Sequence, residues 1–515
     1  MVVDGVLASV PLVVVLFLMV GRQWPAAPAG ALGLGTAFLL AETRFGDSAA
    51  GDGVAQFAVG TMSEALFSAA MITWIVVAAL CIYELQLRSG GMDRIQDAIA
   101  SISGDPRIKV LLVAWFFALF LEGAAGFGTP IALAAPLLVT IGLRPVDAVA
   151  TALLGHAVGV SFGAIGTPVI TQSTITGVDA ASIARMTALY HAAIGGLMVW
   201  MVFRLSASAS MSSTAPGRSG LWFGLGGAAF LAPYFGLAVW LGPELPTLGG
   251  AILGLAVFAG VLALVAPRSK ARVEASASPT ARDDHALAMP LARAAAPYLV
   301  LTGLVALTRG VPWIKETLQR PAVEWVMLGE FSGSVEPFYH PGTLLLVAFV
   351  CGGLFQRTSL YGLASAAVAA SIKVGPAAVA LVATLGMSRM MVHGGMIDAL
   401  AILAAAYGAG SWPLMAPLVG VLGTFTTGSA TASNVLFSDF QQDTAARLNL
   451  PVVEMLGAQT AAAGVGNVVA PHNIIAGGAT VGLAGKEGAV LRKTAIPCAV
   501  YATACGLLSL LMARR

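Results

Sequence analysis

Charged residues are scarce in this 515-residue chain: Asp, Glu, Lys and Arg make up 10% of it, against about 25% in an ordinary soluble domain. With 58% of the residues hydrophobic, too little polar surface remains to keep a soluble fold in solution. The 27 basic and 25 acidic residues nearly cancel, which removes the basic face that a nucleic-acid backbone would need. Cysteine is nearly absent as well. Cys81, Cys351, Cys498 and Cys505 lie in or beside apolar runs without paired metal-ligand spacing, so they read as packing residues and no metal site is expected. Also missing are a phosphate-binding Gly-x-x-x-x-Gly-Lys-Ser/Thr loop and a His-Glu-x-x-His pair, which excludes an ATP-driven engine and a zinc hydrolase. No cofactor is expected.

What fills the chain is glycine and apolar side chains. Gly accounts for 60 residues and the mean hydropathy is +0.87, the composition of membrane helices packed closely through small residues. Apolar runs begin near Val2, Ala31, Ala65, Val110, Val146, Ser182, Leu221, Gly250, Tyr298, Leu344, Ala377, Leu414 and Leu491. They predict an all-α, polytopic protein of about 12 helices, multi-pass in the cell membrane with the lipid bilayer around it. Val6 to Val20 looks superficially like a signal peptide, but no Lys or Arg precedes Arg22, so it reads as the first membrane helix. A stretch rich in Ser, Ala and charge, 268–293, reads as a polar cytoplasmic linker between an N-terminal half, 1–267, and a C-terminal half, 294–515,. The loop carrying Arg204 and Arg218 is expected on the same side. Arg88 to Ile102 reads as an amphipathic segment lying in the interface.

Each half contains a region where apolar runs are broken by Gly, Ser, Thr, Asn and Pro: 122–168 in the first and 426–473 in the second. In the first, Leu121-Glu-Gly-Ala-Ala-Gly-Phe-Gly-Thr-Pro130 precedes Pro145-Val-Asp147, a helix with His156, and Gly163-Ala-Ile-Gly-Thr-Pro168. In the second, Thr426-Thr-Gly-Ser-Ala-Thr-Ala-Ser-Asn434 precedes Pro451-Val-Val-Glu454 and Gly464-Val-Gly-Asn-Val-Val-Ala-Pro471. The Pro145–Pro168 and Pro451–Pro471 separations differ by only three residues; such weak internal symmetry points to a transporter repeat. Within hydrocarbon, broken backbone is tolerated only where it is buried in protein or lines a wet cavity. Thr129-Pro130 and Thr167-Pro168 read as helix starts inside the membrane, with Asn434 and Ala470-Pro471 as their counterparts. Four helix N-termini converging near the midplane would offer unpaired N–H groups to a small anion. Gly-Ala-rich breaks also serve simply to let helices cross closely; their matched positions favour the binding reading.

Glu122, His156, Arg389, His393 and Asp398 stand in apolar runs, where a charge costs at least about 3 kcal/mol unless paired, hydrated or neutralised. A histidine suits proton exchange near neutral pH, although any one of them also reads as a hydrogen-bonded packing residue. Arg389 and Asp398 read either as an internal ion pair or as lying nearer the interface. Gly159-Val-Ser-Phe-Gly163 matches a nucleophile-elbow pattern that would make Ser161 a nucleophile, but it lies in a predicted membrane helix rather than between a strand and a helix. An enzyme is not expected.

Four stretches give the chain its resemblance to the L-lactate permease family: Glu122-Gly-Ala-Ala-Gly-Phe-Gly-Thr-Pro130, Phe162-Gly-Ala-Ile-Gly-Thr-Pro168, Thr427-Gly-Ser-Ala-Thr-Ala-Ser-Asn-Val-Leu-Phe437 and Gly482-Leu-Ala-Gly-Lys-Glu-Gly488. The resemblance implies proton-coupled symport of lactate, glycolate and related 2-hydroxy monocarboxylates. It also implies two inverted-topology repeats that pair a scaffold domain with a hairpin-bearing transport domain. The family pattern often has Asp at Ala430, Lys at Asn467, Asn at His156 and Gln at His472. These departures leave another organic anion, such as a di- or sulfo-carboxylate, as the alternative cargo. The expected substrate-binding residues are Gly126, Gly128, Thr129, Thr167, Ser429, Thr431, Ser433, Asn434, His472 and Asn473. Glu122, His156 and His393 are the expected proton-coupling residues. The expected partners are a small carboxylate, protons and lipid, with a homodimer as an allowed assembly.

Overall fold

The computed structural model describes residues 2–22, 24–45, 53–126, 128–206, 216–265, 289–328, 331–408, 410–483 and 486–514. Most of the expected linker, 268–288, lies outside the described residues, as do Phe127 and the side chain of Arg218. Every apolar run named above falls in a helix. Among the described residues, seven helices are long and apolar enough to cross a membrane, or nine if two bent pairs each cross as one. Other runs form shorter apolar helices, including Thr129–Thr140, Pro341–Phe355 and Trp412–Thr427. The chain is thus a polytopic, almost wholly helical membrane protein.

One small element was not anticipated. β1 (Val323–Met327) and β2 (Phe331–Val335) pair antiparallel, with Trp325 opposite Gly333. Alternation in Val-Glu-Trp-Val-Met is a strand signal, but five residues between helices are easily passed over. The segment read as amphipathic is the helix Gly91–Ala100, and its Met92, Ile95 and Ile99 form one buried stripe, as spacings of three and four require. Among the cysteines, Cys81, Cys498 and Cys505 are buried and all four are free thiols.

The interrupted regions fold into two matched pairs of elements. Helix Ala118–Ala124 turns through Gly126 and Gly128 into Thr129–Thr140, forming a first hairpin. Pro145–His156, a 3-10 turn at Ala157–Phe162 and Gly163–Thr176 form a first broken helix. In the second half, Trp412–Thr427 turns at Gly428 into Ala430–Arg447, the second hairpin. Val452–Gly466, a 3-10 turn at Asn467–Val469 and Pro471–Thr480 form the second broken helix. Proline opens both broken helices, at Pro145 and immediately after Pro451, where its fixed φ and missing N–H cost nothing.

Candidate functional site

The tips of the two hairpins and the breaks of the two broken helices enclose one cavity of about 60 Å³, room for a few waters or one small polar ligand. Its wall is made of Glu122, Gly126 and Gly128 from the first hairpin and Val160, Gly163, Ala164, Thr167 and Pro168 from the first broken helix. Gly428, Ser429, Ala430 and Thr431 from the second hairpin and Asn467 from the second broken helix complete it. Segments far apart in sequence therefore meet at the four breaks.

The two Gly-Thr-Pro sequences build the same turn. Gly128 and Gly166 both have φ of +79°, and the following threonine hydroxyls donate back to the carbonyl three residues earlier: Thr129 to Gly126 at 2.9 Å and Thr167 to Ala164 at 2.6 Å. Thr129 and Thr167 are thus not the capping residues; Gly128 caps the Thr129 helix. With each hydroxyl hydrogen committed to a carbonyl, the oxygen is left to accept, and main-chain N–H groups are the donors available to an anion. The first broken helix carries the greater distortion, because Ala164 (φ +43°) and Ile165 (φ +57°) precede Gly166 in the left-handed region. Each costs about 1–2 kcal/mol there. Such strain clusters at functional sites.

Glu122 closes one end of the cavity. It is 5% exposed, and its Oε2 lies 4.0 Å from Nε2 of His156, itself 2% exposed. The other ring nitrogen, Nδ1, donates to the Ala152 carbonyl at 2.7 Å, and Asn467 hydrogen-bonds the histidine side chain from the second half. Asn467 was not among the expected site residues. Together with Ala430 it brings three of the four departures from the family pattern, at positions 156, 430 and 467, to one spot.

The second hairpin begins its outgoing helix at Ser429, whose side chain accepts from the Ala432 N–H; Asn434, expected as the start, lies a turn further in. Ser433 donates to the Gly420 carbonyl at 2.9 Å and clamps the hairpin's two arms together. Asn434 is wholly buried behind the cavity wall. Its Nδ2 donates to the Pro168 carbonyl at 3.0 Å and to Thr460 Oγ1 at 2.9 Å, while its Oδ1 accepts from Gln459 at 3.2 Å. Thr460 in turn donates to Gln172 at 2.6 Å. Gln172, Gln459 and Thr460 were missed because a single amide or hydroxyl in an apolar helix carries no motif. Asn473 donates to the carbonyls of Gly428 and Asn467 and ties the hairpin tip to the break. His472 is exposed and packs over Gly428. Of the residues expected to bind substrate, Gly126, Gly128, Thr167, Ser429 and Thr431 line the cavity, whereas Thr129, Ser433, Asn434, His472 and Asn473 stand behind or beside it.

His393 is elsewhere. Its Nε2 is 2.8 Å from Glu64 Oε2, and its ring packs edge-on against Phe331 of β2. Arg389 and Asp398 do not pair with each other. Arg389 donates to the Ile175 carbonyl at the end of the first broken helix, and Asp398, 60% exposed, pairs with Arg447. Ser161 does meet a histidine, His191, at 2.8 Å, but both are fully buried. The serine hydroxyl donates to the Thr460 carbonyl and the second histidine nitrogen meets Tyr501 OH at 2.6 Å. A consistent chain has Tyr501 donating to Nδ1 and Nε2–H donating to Ser161, a satisfied packing network with no carboxylate behind the imidazole.

The profile of the L-lactate permease family matches residues 4–514. The glycolate permease GlcA of Escherichia coli K12 is 27% identical over 491 residues, covering 86% of this chain and 84% of that protein. An L-lactate permease of Streptococcus iniae is 31% identical over 388 residues, covering 74% and 78%. Among solved structures, Neisseria gonorrhoeae MtrF aligns at 15% identity over 90% of this chain and 85% of that one, with a TM-score of 0.48.

Proposed function

Because the chain belongs to the L-lactate permease family, we propose that it carries L-lactate, glycolate and related 2-hydroxy monocarboxylates across the cell membrane together with protons. It is a multi-pass membrane protein of a family of permeases, not an enzyme. The observation that carries the reading is the convergence of four chain breaks on a cavity whose only charged wall residue, among the described residues, is Glu122. Main-chain N–H groups at the helix starts bind the substrate carboxylate, and Thr167, Ser429 and Thr431 supply polar oxygens for the 2-hydroxyl. A carboxylate substrate and the Glu122 carboxylate repel each other in so small a space unless a proton accompanies the anion. Glu122 and His156 are the groups that take it. The cavity's small size, and its lack of a fixed cation on the wall, favour a monocarboxylate over a di- or sulfo-carboxylate. The matched hairpins and broken helices act as the transport unit of two inverted repeats, 1–267 and 294–515, held by a helical scaffold.

Uptake of radiolabelled L-lactate into proteoliposomes tests this reading. An inward proton gradient is expected to drive accumulation, a protonophore to abolish it, and a sodium gradient to leave it unchanged. Full accumulation in the presence of protonophore would rule out the proton, and failure of unlabelled glycolate to compete would rule out the substrate class.

A further inference from the structure

The Gly482 to Gly488 stretch contributes nothing to the transport cavity, yet it borders a second pocket of about 330 Å³ where the first broken helix and the helix Glu487–Ala513 both begin. Arg144, Lys486 and Lys493 line it, with Val146 and Leu483 forming an apolar floor. A single carboxylate organises the cations. Asp147, 1% exposed, receives Arg144 Nε at 2.8 Å and Lys493 Nζ at 3.0 Å. That leaves the Arg144 terminal nitrogens and the remaining Lys493 hydrogens unspent. Lys486 is exposed and has no ion pair among the described residues. Three cations against one anion give the wall a charge of +2.

Two membrane spans start at this pocket, which places it at the boundary between water and hydrocarbon. With the bent pair Ala180–Ile194 and Gly196–Ser206 crossing as one, four spans separate Arg144 from the basic stretch at 268–293, which puts the pocket on the same side, the one that an excess of Lys and Arg assigns to the cytoplasm. The inner leaflet is where anionic phospholipid is concentrated, and basic pockets between helices on that side bind its headgroups. We propose that the Arg144–Lys486–Lys493 pocket binds the phosphate of an anionic phospholipid headgroup, whose glycerol and upper acyl carbons rest on Val146 and Leu483. A lipid seated there braces the foot of the first broken helix, whose central break forms part of the wall of the transport cavity.

The test uses purified full-length protein and three probes: phosphatidylglycerol, phosphatidylcholine and inorganic phosphate. Lipid retained through detergent is read by mass spectrometry, and binding by the shift in thermal unfolding midpoint. Phosphatidylglycerol is expected to be retained and stabilising, and phosphatidylcholine not. Each lysine near an anionic surface is worth about fivefold in binding, so Lys486→Gln with Lys493→Gln is expected to weaken phosphatidylglycerol binding about 25-fold, with elution as a single folded species as the control for folding. Inorganic phosphate competing as well as the lipid, with the same loss in the variant, assigns the site to free phosphate and overturns the lipid. Equal retention of the two lipids, or unchanged phosphatidylglycerol binding in the variant, overturns the site altogether.

Discussion

His156 Nε2 and Glu122 Oε2 lie 4.0 Å apart, both side chains nearly sealed from solvent, at the edge of the cavity where the chain's four breaks meet. The pair joins the first hairpin to the first broken helix, and Asn467 reaches it from the other half of the chain. One proton shared between a carboxylate and an imidazole at this distance leaves the pair neutral when the imidazole is uncharged and the acid protonated, or ion-paired when the proton sits on the ring.

Replacing Glu122 with Gln keeps the shape and removes the acid. Uphill accumulation of lactate driven by a proton gradient is expected to disappear, while exchange of internal for external lactate continues, because exchange moves substrate without net proton release. Parallel measurement of accumulation and counterflow in proteoliposomes checks this. Loss of both, in protein that elutes as a folded species, would make Glu122 a structural or substrate residue instead.

The two histidines that depart from the family pattern should behave differently. His156→Asn removes a ring that sits beside Glu122, whereas His472→Gln alters an exposed side chain lying over Gly428. His156 stands behind the cavity wall next to Glu122, so His156→Asn is expected to change the pH profile of uptake while leaving the KM for lactate within about twofold. His472→Gln is expected to leave the pH profile in place. Uptake measured across external pH for the two single variants distinguishes them, and identical profiles for all three proteins would remove His156 from the coupling step.

Gly163 offers a way to disturb Glu122 without touching it. Its backbone is ordinary, φ −62° and ψ 155°, so alanine meets no conformational barrier there. A Cβ at this position runs into Glu122 Oε1. Gly163→Ala is therefore expected to yield well-folded protein with the accumulation defect of Glu122→Gln. Gly126→Ala, by contrast, places a side chain at φ +59° and is expected to lower the unfolding midpoint as well, since alanine in the left-handed region costs about 1–2 kcal/mol. Normal accumulation in Gly163→Ala would show that the carboxylate need not occupy its observed position.

Much of this site could be read from the sequence, and what could not has a physical reason. Runs of Gly, Thr and Pro announce broken backbone locally, so Gly126, Gly128, Thr167, Ser429 and Thr431 were accessible, and an acid in an apolar run marks itself, as Glu122 does. His156 carried the same mark. Side-chain direction is another matter: Thr129, Ser433 and Asn434 belong to the same motifs, but helix rotation turns them away from the cavity into hydrogen bonds with backbone. His393 is marked in the sequence only as an ionisable residue in an apolar run, and the fold is what shows Glu64 and β2 enclosing it. Asn467 and Gln459 are amides whose significance comes from partners far along the chain, which no local pattern encodes.

Asn434 is the residue for which a ligand role and a structural role give opposite results. It is 0% exposed, and its amide links the second hairpin to the Pro168 carbonyl of the first broken helix and to Thr460 of the second. Asn434→Ala leaves two buried acceptors without this donor, at about 1–3 kcal/mol each, and cuts a bridge that touches three of the four broken elements. A lower unfolding midpoint is therefore expected, together with a lower maximal rate, while the KM for lactate in the surviving folded fraction stays within about twofold. A substrate-contacting amide would do the reverse. Its loss would raise KM about tenfold or more, the worth of a hydrogen bond to a charged group, with little change in stability. Thermal unfolding of detergent-solubilised protein, set beside the split between KM and maximal rate in proteoliposomes, decides between them. An unchanged midpoint with a raised KM would bring Asn434 back to the cavity wall and require the second hairpin to rotate during transport.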